Sequence, residues 1–467
     1  MLKAALTGRL REIVGPEHVI EGGEALGPYL SDASGIEAAT GPVGPGLGVA
    51  MPGSTAEMRQ VVELALEERL PLVARGGGTG LWAGAVPVRG GLVVSTERMA
   101  GPPEINREDL YAVVGPGVPV KRFRAAVEAE RLYYPIDPAG EALSTIGGSV
   151  AEGAEGLHGL RYGTTRNYVL GLELVTAEAG VLAVGARTVK SVAGYDVTRL
   201  VVGSEGTLGI VTSATLRVLP LPEERRVLAF AFGSNALAAE AAAETLEQGL
   251  GPVALEIMDQ FTSRAVAEMA VAQSTGAGAD VPQGPLLLIE FDGPRSLCEA
   301  LAADLKDLMR SRYRIEAASE ATGPDTERLW AIRRSALAAL GRAFPTVIIR
   351  NFAVAPSKLA GLMERVSDTS EKHGIPLAVF GHAGQGVVHV AVLGDRGTQG
   401  FGEAAERVMA RLASACGPLG ARISGARGLG LAESPLRNAG LDEADREVLM
   451  RLKNAIDPKG IMNPDRI

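Results

Sequence analysis

The stretch Leu70–Leu81, LPLVARGGGTGL, constrains this chain more than any other. Pro71 to Ala74 reads as a short buried strand, and Arg75-Gly76-Gly77-Gly78-Thr79-Gly80 as a loop almost without side chains. Consecutive glycines let a backbone take positive φ and come close to a bulky anion. Their N–H groups, turned one way, form a concavity suited to a pyrophosphate. A Rossmann or Walker loop has to open directly into a helix. Here the loop runs into Leu81–Pro87, then Gly90-Gly91, then a second apolar run at Leu92-Val93-Val94. Proline and paired glycines leave no room for a helix, and the Lys-Ser/Thr pair of a P-loop is missing. The loop is therefore expected to join strand to strand, with a helix before it. Taken alone, a glycine run is equally well read as a plain tight turn.

Composition narrows the partners. The 467 residues suffice for two or three domains. A net charge of −9 argues against nucleic acid or an anionic membrane surface as the main partner. With only 4% aromatic residues, stacking platforms for bases are not expected either. Cys298 and Cys416 cannot build a disulfide framework. With no signal peptide and no run of 18 apolar residues, a soluble cytoplasmic protein without a transmembrane segment is expected.

Periodicity organises the rest. Ser54-Thr55-Ala56-Glu57 has the form of a capping box, and Met58, Val61, Val62, Ala65 and Leu66 follow at helical spacing. Val120 to Ala129 reads as a helix, whereas Tyr133 to Gly163 reads as almost all loop, a length that suggests ligand binding. Val169–Val175 and Val181–Val184 form a hairpin. Gly203 to Gly209 is a second glycine-rich loop between apolar runs. Leu219-Pro220-Leu221-Pro222 is the best domain boundary. Beyond it, strands and helices alternate as in an α+β sandwich with helices on one sheet face.

Four separated motifs then coincide: Arg75–Leu81; Thr145-Ile146-Gly147-Gly148-Ser149-Val150-Ala151-Glu152; Gly194-Tyr195-Asp196 with Gly203–Ile210; and Asp457-Pro458-Lys459-Gly460-Ile461-Met462-Asn463-Pro464. With these the chain resembles the vanillyl-alcohol-oxidase-like (PCMH-type) FAD flavoproteins, within them most the D-lactate dehydrogenase and glycolate oxidase subunit branch. The resemblance implies an α+β fold: a two-subdomain FAD-binding domain over 1–220, a ferredoxin-like α+β cap over 221–420, and a C-terminal segment, 421–467, packing back on the first domain. It implies FAD contacts from Arg75, Gly76, Gly77, Gly78, Thr79, Gly80, Leu81, Pro135, Thr145, Gly147, Gly148, Ser149, Ala151, Glu205, Gly206, Gly209, Ile210, Val211 and Asn463. Some such proteins tether flavin through a histidine. Arg75 to Gly80 has none, so FAD is expected to be non-covalent. Ser149, Gly153 and Glu155 depart from the usual Asn, Asn and Gly of this motif.

At the chemistry end, Arg333 matches the arginine that binds a substrate carboxylate in such proteins, a role suited to a guanidinium; the plainer alternative is that Arg333 and Arg334 cover a helix face. Gly381-His382-Ala383-Gly384-Gln385-Gly386-Val387-Val388-His389 resembles a motif whose two histidines bind a divalent metal that polarises the substrate oxygen. A third ligand and a catalytic base follow in that family as Glu-His. This chain has Ala426 and Arg427 there. Alanine cannot ligate a metal and arginine is protonated at ordinary pH, so His382 and His389 are equally well read as hydrogen-bonded beside a turn. His158 matches a histidine often present in the glycolate oxidase branch, and a structural role competes with one facing the flavin.

Two functions remain open. One is an FAD-dependent oxidoreductase that oxidises a small 2-hydroxy acid by hydride transfer to flavin, with Arg333 and Arg427 clamping the carboxylate. The other is a non-catalytic FAD-binding subunit that docks on a catalytic or iron–sulfur partner subunit, relaying electrons or scaffolding.

Overall fold

Capping chemistry starts the helix that precedes the glycine loop. Ser54 Oγ accepts the N–H of Glu57 (3.2 Å), and the Glu57 carboxylate reaches back to the N–H of Gly53 (2.8 Å) rather than to that of Ser54. The helix Thr55–Glu68 buries Met58, Val61, Val62, Leu64 and Ala65 and ends at Arg69, whose left-handed φ of 50° turns the chain into the next strand. The computed structural model describes residues 4–34, 36–38, 46–138, 140–190, 193–272, 282–423 and 443–466. It divides into two units: Met1–Gly156, Gly163–Leu221 and Arg427–Ile467, and Leu157–Tyr162 with Pro222–Ala426.

The first unit holds the glycine loop. Leu72–Arg75 and Gly91–Ser95 are parallel neighbours in a four-stranded sheet ordered Val19–Ile20, Leu47–Ala50, Gly91–Ser95, Leu72–Arg75. The connection between these two parallel strands contains no helix, as the proline and glycine pair predict, although such crossovers usually contain one. Met462 bridges to Leu72 in parallel, so the C-terminal tail extends this sheet at its edge. A second sheet, antiparallel throughout, is ordered Glu104–Asn106, Tyr111–Val114, Ile210–Arg217, Val169–Val175, Val181–Gly185, and includes the expected hairpin.

The segment from Tyr133 to Gly163 is not nearly all loop. Ile146–Glu152 is a helix whose N-cap, Thr145, accepts the N–H of Gly148, and Gly159–Tyr162 forms a further turn of helix. Gly147 and Gly148 hide the first from a propensity argument, each costing about 1 kcal/mol against alanine in a helix. Gly147 is needed nonetheless: a Cβ there would lie 2.7 Å from the Cβ of Pro116. Likewise the apolar run before the second glycine loop is part of a short helix, Val197–Val201, capped by the Asp196 carboxylate on the N–H of Arg199.

The second unit is an eight-stranded antiparallel sheet in the order Ile315–Thr322, Glu224–Phe232, Leu286–Gly293, Ala254–Met258, Leu377–His382, Val387–Gly394, Thr346–Ala353, Arg422–Ile423. Helices cover both faces, not one. Leu228, Phe230 and Phe232 pack with the helices Asn235–Glu247, Arg295–Arg312, Leu359–His373 and Phe401–Cys416. Val227, Ala229 and Ala231 pack with Gln260–Ala272, Thr326–Arg334 and Ala336–Ala343. Strands apolar on both sides are what a doubly covered sheet requires. Among the described residues, no helix is long and apolar enough to cross a membrane.

Leu157–Tyr162 belongs to this second unit through two carboxylates of the strand Leu286–Gly293. Tyr162 donates to Asp292 (2.6 Å), as does Arg161 (3.2 Å). Glu290, fully buried, accepts from Arg225 (2.6 and 3.1 Å) and from Trp330 Nε1 (2.5 Å), and lies 3.3 Å from His158 Nε2. Burial pushes the Glu290 carboxyl up, but His158 and Arg225 pull it further down, to about 2 from an ordinary 4.5. Because its folded value is depressed, its contribution to stability is complete above pH 4.5 and is lost as pH falls through about 2. Glu290→Gln should therefore destabilise the protein by about 3–5 kcal/mol at neutral pH in denaturant unfolding. The difference from wild type should shrink as pH drops below 4.5; a pH-independent difference would contradict this.

Candidate functional site

A cleft in the first unit is lined by backbone from three places. Gly76, Gly77, Gly78, Thr79 and Gly80 form one side, Thr145, Gly148, Ser149 and Ala151 another, and Glu205 and Gly206 a third. The first two sides touch so closely that no side chain fits at Gly76 or Gly77. A Cβ on Gly76 would lie 2.2 Å from Thr145 Oγ1, and one on Gly77 only 1.8 Å from the Leu143 carbonyl oxygen. Gly78 takes φ +65°. Thr79 and Ser144 hydroxyls bond across the gap at 2.9 Å. Ser149 Oγ is buried with no hydrogen-bond partner among the described residues, and it lines the cleft. A buried hydroxyl left unmatched beside a side-chain-free cradle fits a ligand rich in acceptors, so the residues present suit the implied dinucleotide.

The C-terminal tail holds this cradle from behind. Buried Lys453 donates to Thr207 O and Met462 O, each at 2.7 Å, and to Asp457. Asp457 also accepts the N–H groups of Ile461 (3.1 Å) and Met462 (2.8 Å). Asn463 Nδ2 donates to Glu205 O (2.6 Å) and Gly84 O (2.9 Å), joining the two glycine-rich loops. Arg466, also buried, donates to the carbonyls of Ala83 and Val86. Burial pulls the Lys453 ammonium below its usual range, opposed by Asp457.

A second polar cluster lies on one face of the eight-stranded sheet. The register opposes Ile257 to Gly381 and so sets Glu256 beside His382. The Glu256 carboxylate takes His382 Nδ1 on Oε1 (2.6 Å) and Arg333 Nε on Oε2 (2.8 Å). All three are at least nine-tenths buried. Burial raises the Glu256 carboxyl, but His382 and Arg333 lower it more, so it stays below the ordinary range. An ionised carboxylate only accepts, so His382 carries its proton on Nδ1. Asn351 Oδ1 likewise accepts from His389 Nδ1 (2.6 Å). The rings of His382 and His389 are 5.5 Å apart, and Phe380 stacks near both His389 (5.0 Å) and the Arg333 guanidinium (5.2 Å).

Anchoring of Nδ1 by a carboxylate or amide is a common support of metal-binding histidines, but two imidazoles do not close a cation site. No group of three His, Cys, Asp or Glu among the described residues could hold a metal, and position 426 is alanine. Among the described residues, His382 and His389 alone do not close a divalent-ion site.

Of the residues expected to touch FAD, eleven line the cleft: Gly76, Gly77, Gly78, Thr79, Gly80, Thr145, Gly148, Ser149, Ala151, Glu205 and Gly206. Others lie around it. Arg75 turns its guanidinium to the carbonyls of Ser31 (2.9 Å) and Pro28 (2.7 Å), over the Tyr29 ring. Leu81 is exposed, Pro135 is buried beside Tyr134, and Gly147 packs on Pro116. Gly209, Ile210 and Val211 enter a strand of the second sheet, and Asn463 braces the loops. Arg333, His382 and His389 share the second cluster, whereas His158 is held by the neighbouring Glu290 group. Ala426 and Arg427 lie outside the described residues. The sequence alone did not single out Lys453, Arg466, Glu256, Glu290 and Asn351, and it gave Asp457 only as part of a motif. A lone glutamate inside an apolar strand, as in Ala254–Met258 and Leu286–Gly293, is the signal that could have found two of them, since buried carboxylates need partners.

Residues 46–185 match the FAD binding domain model, and residues 221–467 match the model of the C-terminal domain of FAD linked oxidases. The glycolate oxidase subunit GlcD of Bacillus subtilis is 36% identical over 423 residues, covering 90% of this chain and 88% of that protein. The D-lactate dehydrogenase of Archaeoglobus fulgidus is 34% identical over 420 residues, 90% of each. Among solved structures, 4-ethylphenol oxidase from Gulosibacter chungangensis superposes with a TM-score of 0.75 at 20% identity, over all of this chain and 97% of its own. p-Cresol methylhydroxylase does so with a TM-score of 0.75 at 15% identity and the same coverage; both show the fold alone. With its fold and both domain models in place, the chain belongs to the FAD-linked oxidases and is an FAD-binding oxidoreductase of the glycolate oxidase and D-lactate dehydrogenase type.

Proposed function

We propose that this protein oxidises a small 2-hydroxy acid, such as D-lactate or glycolate, to the 2-oxo acid. The observation that carries the reading is Arg333: a buried guanidinium, held at Nε by Glu256 and grouped with His382. With Nε committed, the terminal Nη donors are the part left to meet a substrate carboxylate, a fork–fork match that lysine cannot copy. Apolar neighbours such as Phe380 lower the local dielectric and strengthen that attraction. In the first unit, the cradle from Gly76 to Gly80 with Thr145, Gly148, Ser149, Ala151, Glu205 and Gly206 would hold FAD through backbone and hydroxyl groups, without a covalent tether. Bound FAD supplies the acceptor for a hydride. Arginine cannot take the hydroxyl proton, so Arg427 is assigned to carboxylate binding and not to base catalysis.

A second reading is kept by Ala426 and Arg427. Relatives from Bacillus subtilis and Escherichia coli are named as subunits of glycolate oxidase. An FAD-binding subunit that passes electrons within such an assembly, to a catalytic or iron–sulfur partner, would have no need of a base at that position.

Two substitutions test the assignments. Gly77→Ala places a methyl group against the Leu143 carbonyl, where backbone cannot yield cheaply. FAD affinity, read by flavin content and fluorescence titration, should fall about tenfold or more, a loss of about 1.4 kcal/mol, with the far-UV spectrum unchanged; full flavin content would contradict the cradle. Arg333→Lys should raise KM for D-lactate or glycolate in a dye-coupled assay by about tenfold or more, and an unchanged KM would contradict the clamp.

A further inference from the structure

We infer that Arg466 is a positioning residue for FAD: its guanidinium gathers the backbone of residues 82–86 from behind and so fixes the wall of the cleft made by Gly84 and Ala85. The inference rests on FAD binding and not on the identity of the substrate.

Every carbonyl of this segment meets a side-chain donor from elsewhere in the chain. Arg466 donates to Ala83 O and, at 3.1 Å, to Val86 O, and it reaches Trp82 O at 3.5 Å. Asn463 Nδ2 donates to Gly84 O at 2.9 Å, and Arg75 Nη1 reaches Ala85 O at 3.4 Å. Gly84 and Ala85, in the middle of the segment, line the cleft. The conformation is a strained one. Ala83, fully buried, takes φ +63°, which a residue with a Cβ keeps only where its surroundings impose it. Asn463, on the opposite side of the contact, takes φ +38°. Carbonyl oxygens that converge from one segment repel one another, and a planar fork of N–H donors is the side chain suited to gather several at once.

Charge gives a second reason for an arginine at this place. Arg466 is 1% exposed, and among the described residues its hydrogen bonds go to uncharged oxygens, Asn463 Oδ1 included (3.3 Å). A buried cation so bonded is costly; the carboxylates that act on it through space are Glu205, Asp32 and Asp465. The cleft lining itself holds two carboxylates, Glu152 and Glu205, and no lysine or arginine. The positive charge that favours a pyrophosphate therefore lies one layer back, on Arg466 and Arg75.

The experiment joins FAD affinity to a direct reading of the segment. Arg466→Met keeps a long apolar stem and removes every donor. FAD affinity, from the flavin content of the purified full chain and fluorescence titration of the stripped protein, should fall about tenfold or more. Arg466→Lys keeps the charge but loses the fork, and should recover part of the affinity, leaving a loss of about threefold. The chain has two tryptophans, Trp82 in the segment and Trp330 in the second unit. In fluorine NMR of the FAD-free, fluorotryptophan-labelled chain, the Trp82 signal, identified by its absence in Trp82→Phe, should shift or broaden in Arg466→Met while the Trp330 signal stays in place. Leu305→Ala, which opens a cavity in the core of the second unit, should lower thermal stability and leave both FAD affinity and the Trp82 signal unchanged. Wild-type FAD affinity in Arg466→Met overturns the inference, as does an unmoved Trp82 signal. A loss of FAD affinity in Leu305→Ala equal to that in Arg466→Met also overturns it, because stability rather than position would then be what Arg466 supplies. Should Arg466→Met fail to fold, Arg466→Lys decides: wild-type FAD affinity with an unmoved Trp82 signal overturns the inference, and the threefold loss with a moved signal supports it.

Discussion

The loop Gly76–Gly80 lies against residues 143–148 with no space for a side chain at Gly76 or Gly77, and the first unit is built around that contact. A Cβ at Gly77 would fall within bonding range of a carbonyl oxygen. Close apposition of two backbones costs hydrogen bonds and conformational entropy unless something outside holds them together. The C-terminal tail does this. Met462 bridges to the strand before the loop, Asn463 joins the carbonyls of Gly84 and Glu205, and Arg466 gathers those of Ala83 and Val86. The residues that make the cleft and those that brace it are therefore far apart in sequence, 379 positions for Gly84 and Asn463 and 258 for Glu205 and Asn463.

The second unit applies a different constraint, buried carboxylates on one sheet face. Glu256 and Glu290 lie on adjacent strands, and the helix Thr326–Arg334 is fixed to both, through Arg333 and Trp330. A buried carboxylate is costly without partners, and removing one partner leaves the charge exposed to a low dielectric. That cost makes the helix register difficult to change. Arg333 is consequently held by geometry on both sides of its helix turn, a requirement for any group that must meet a substrate in one orientation.

Much of this was legible in the residues, and for identifiable reasons. Ser54 and Glu57 announce a helix start, and Met58, Val61, Val62 and Ala65 its buried face, because local spacing carries that information. The proline and glycine pair after Leu81 exclude a helix, and the crossover indeed has none. The helix Ile146–Glu152 escaped because its glycines serve packing against Pro116 instead of propensity. Arg333 and His382 were identified through the family resemblance, but their common partner Glu256 depends on strand register, which no local pattern encodes. That helices cover the second sheet face was missed in the same way: alternation within Val227–Phe232 is hidden when both faces are apolar.

The central claim is that this FAD-linked oxidase takes electrons from a small 2-hydroxy acid although residue 427 is arginine. The most direct test is the visible spectrum of the FAD-loaded protein under anaerobic conditions, before and after adding D-lactate or glycolate. Bleaching of the oxidised flavin band by one of them is the predicted result. A flavin that stays oxidised with both acids, yet is reduced by dithionite, would contradict the claim and favour an electron-passing subunit.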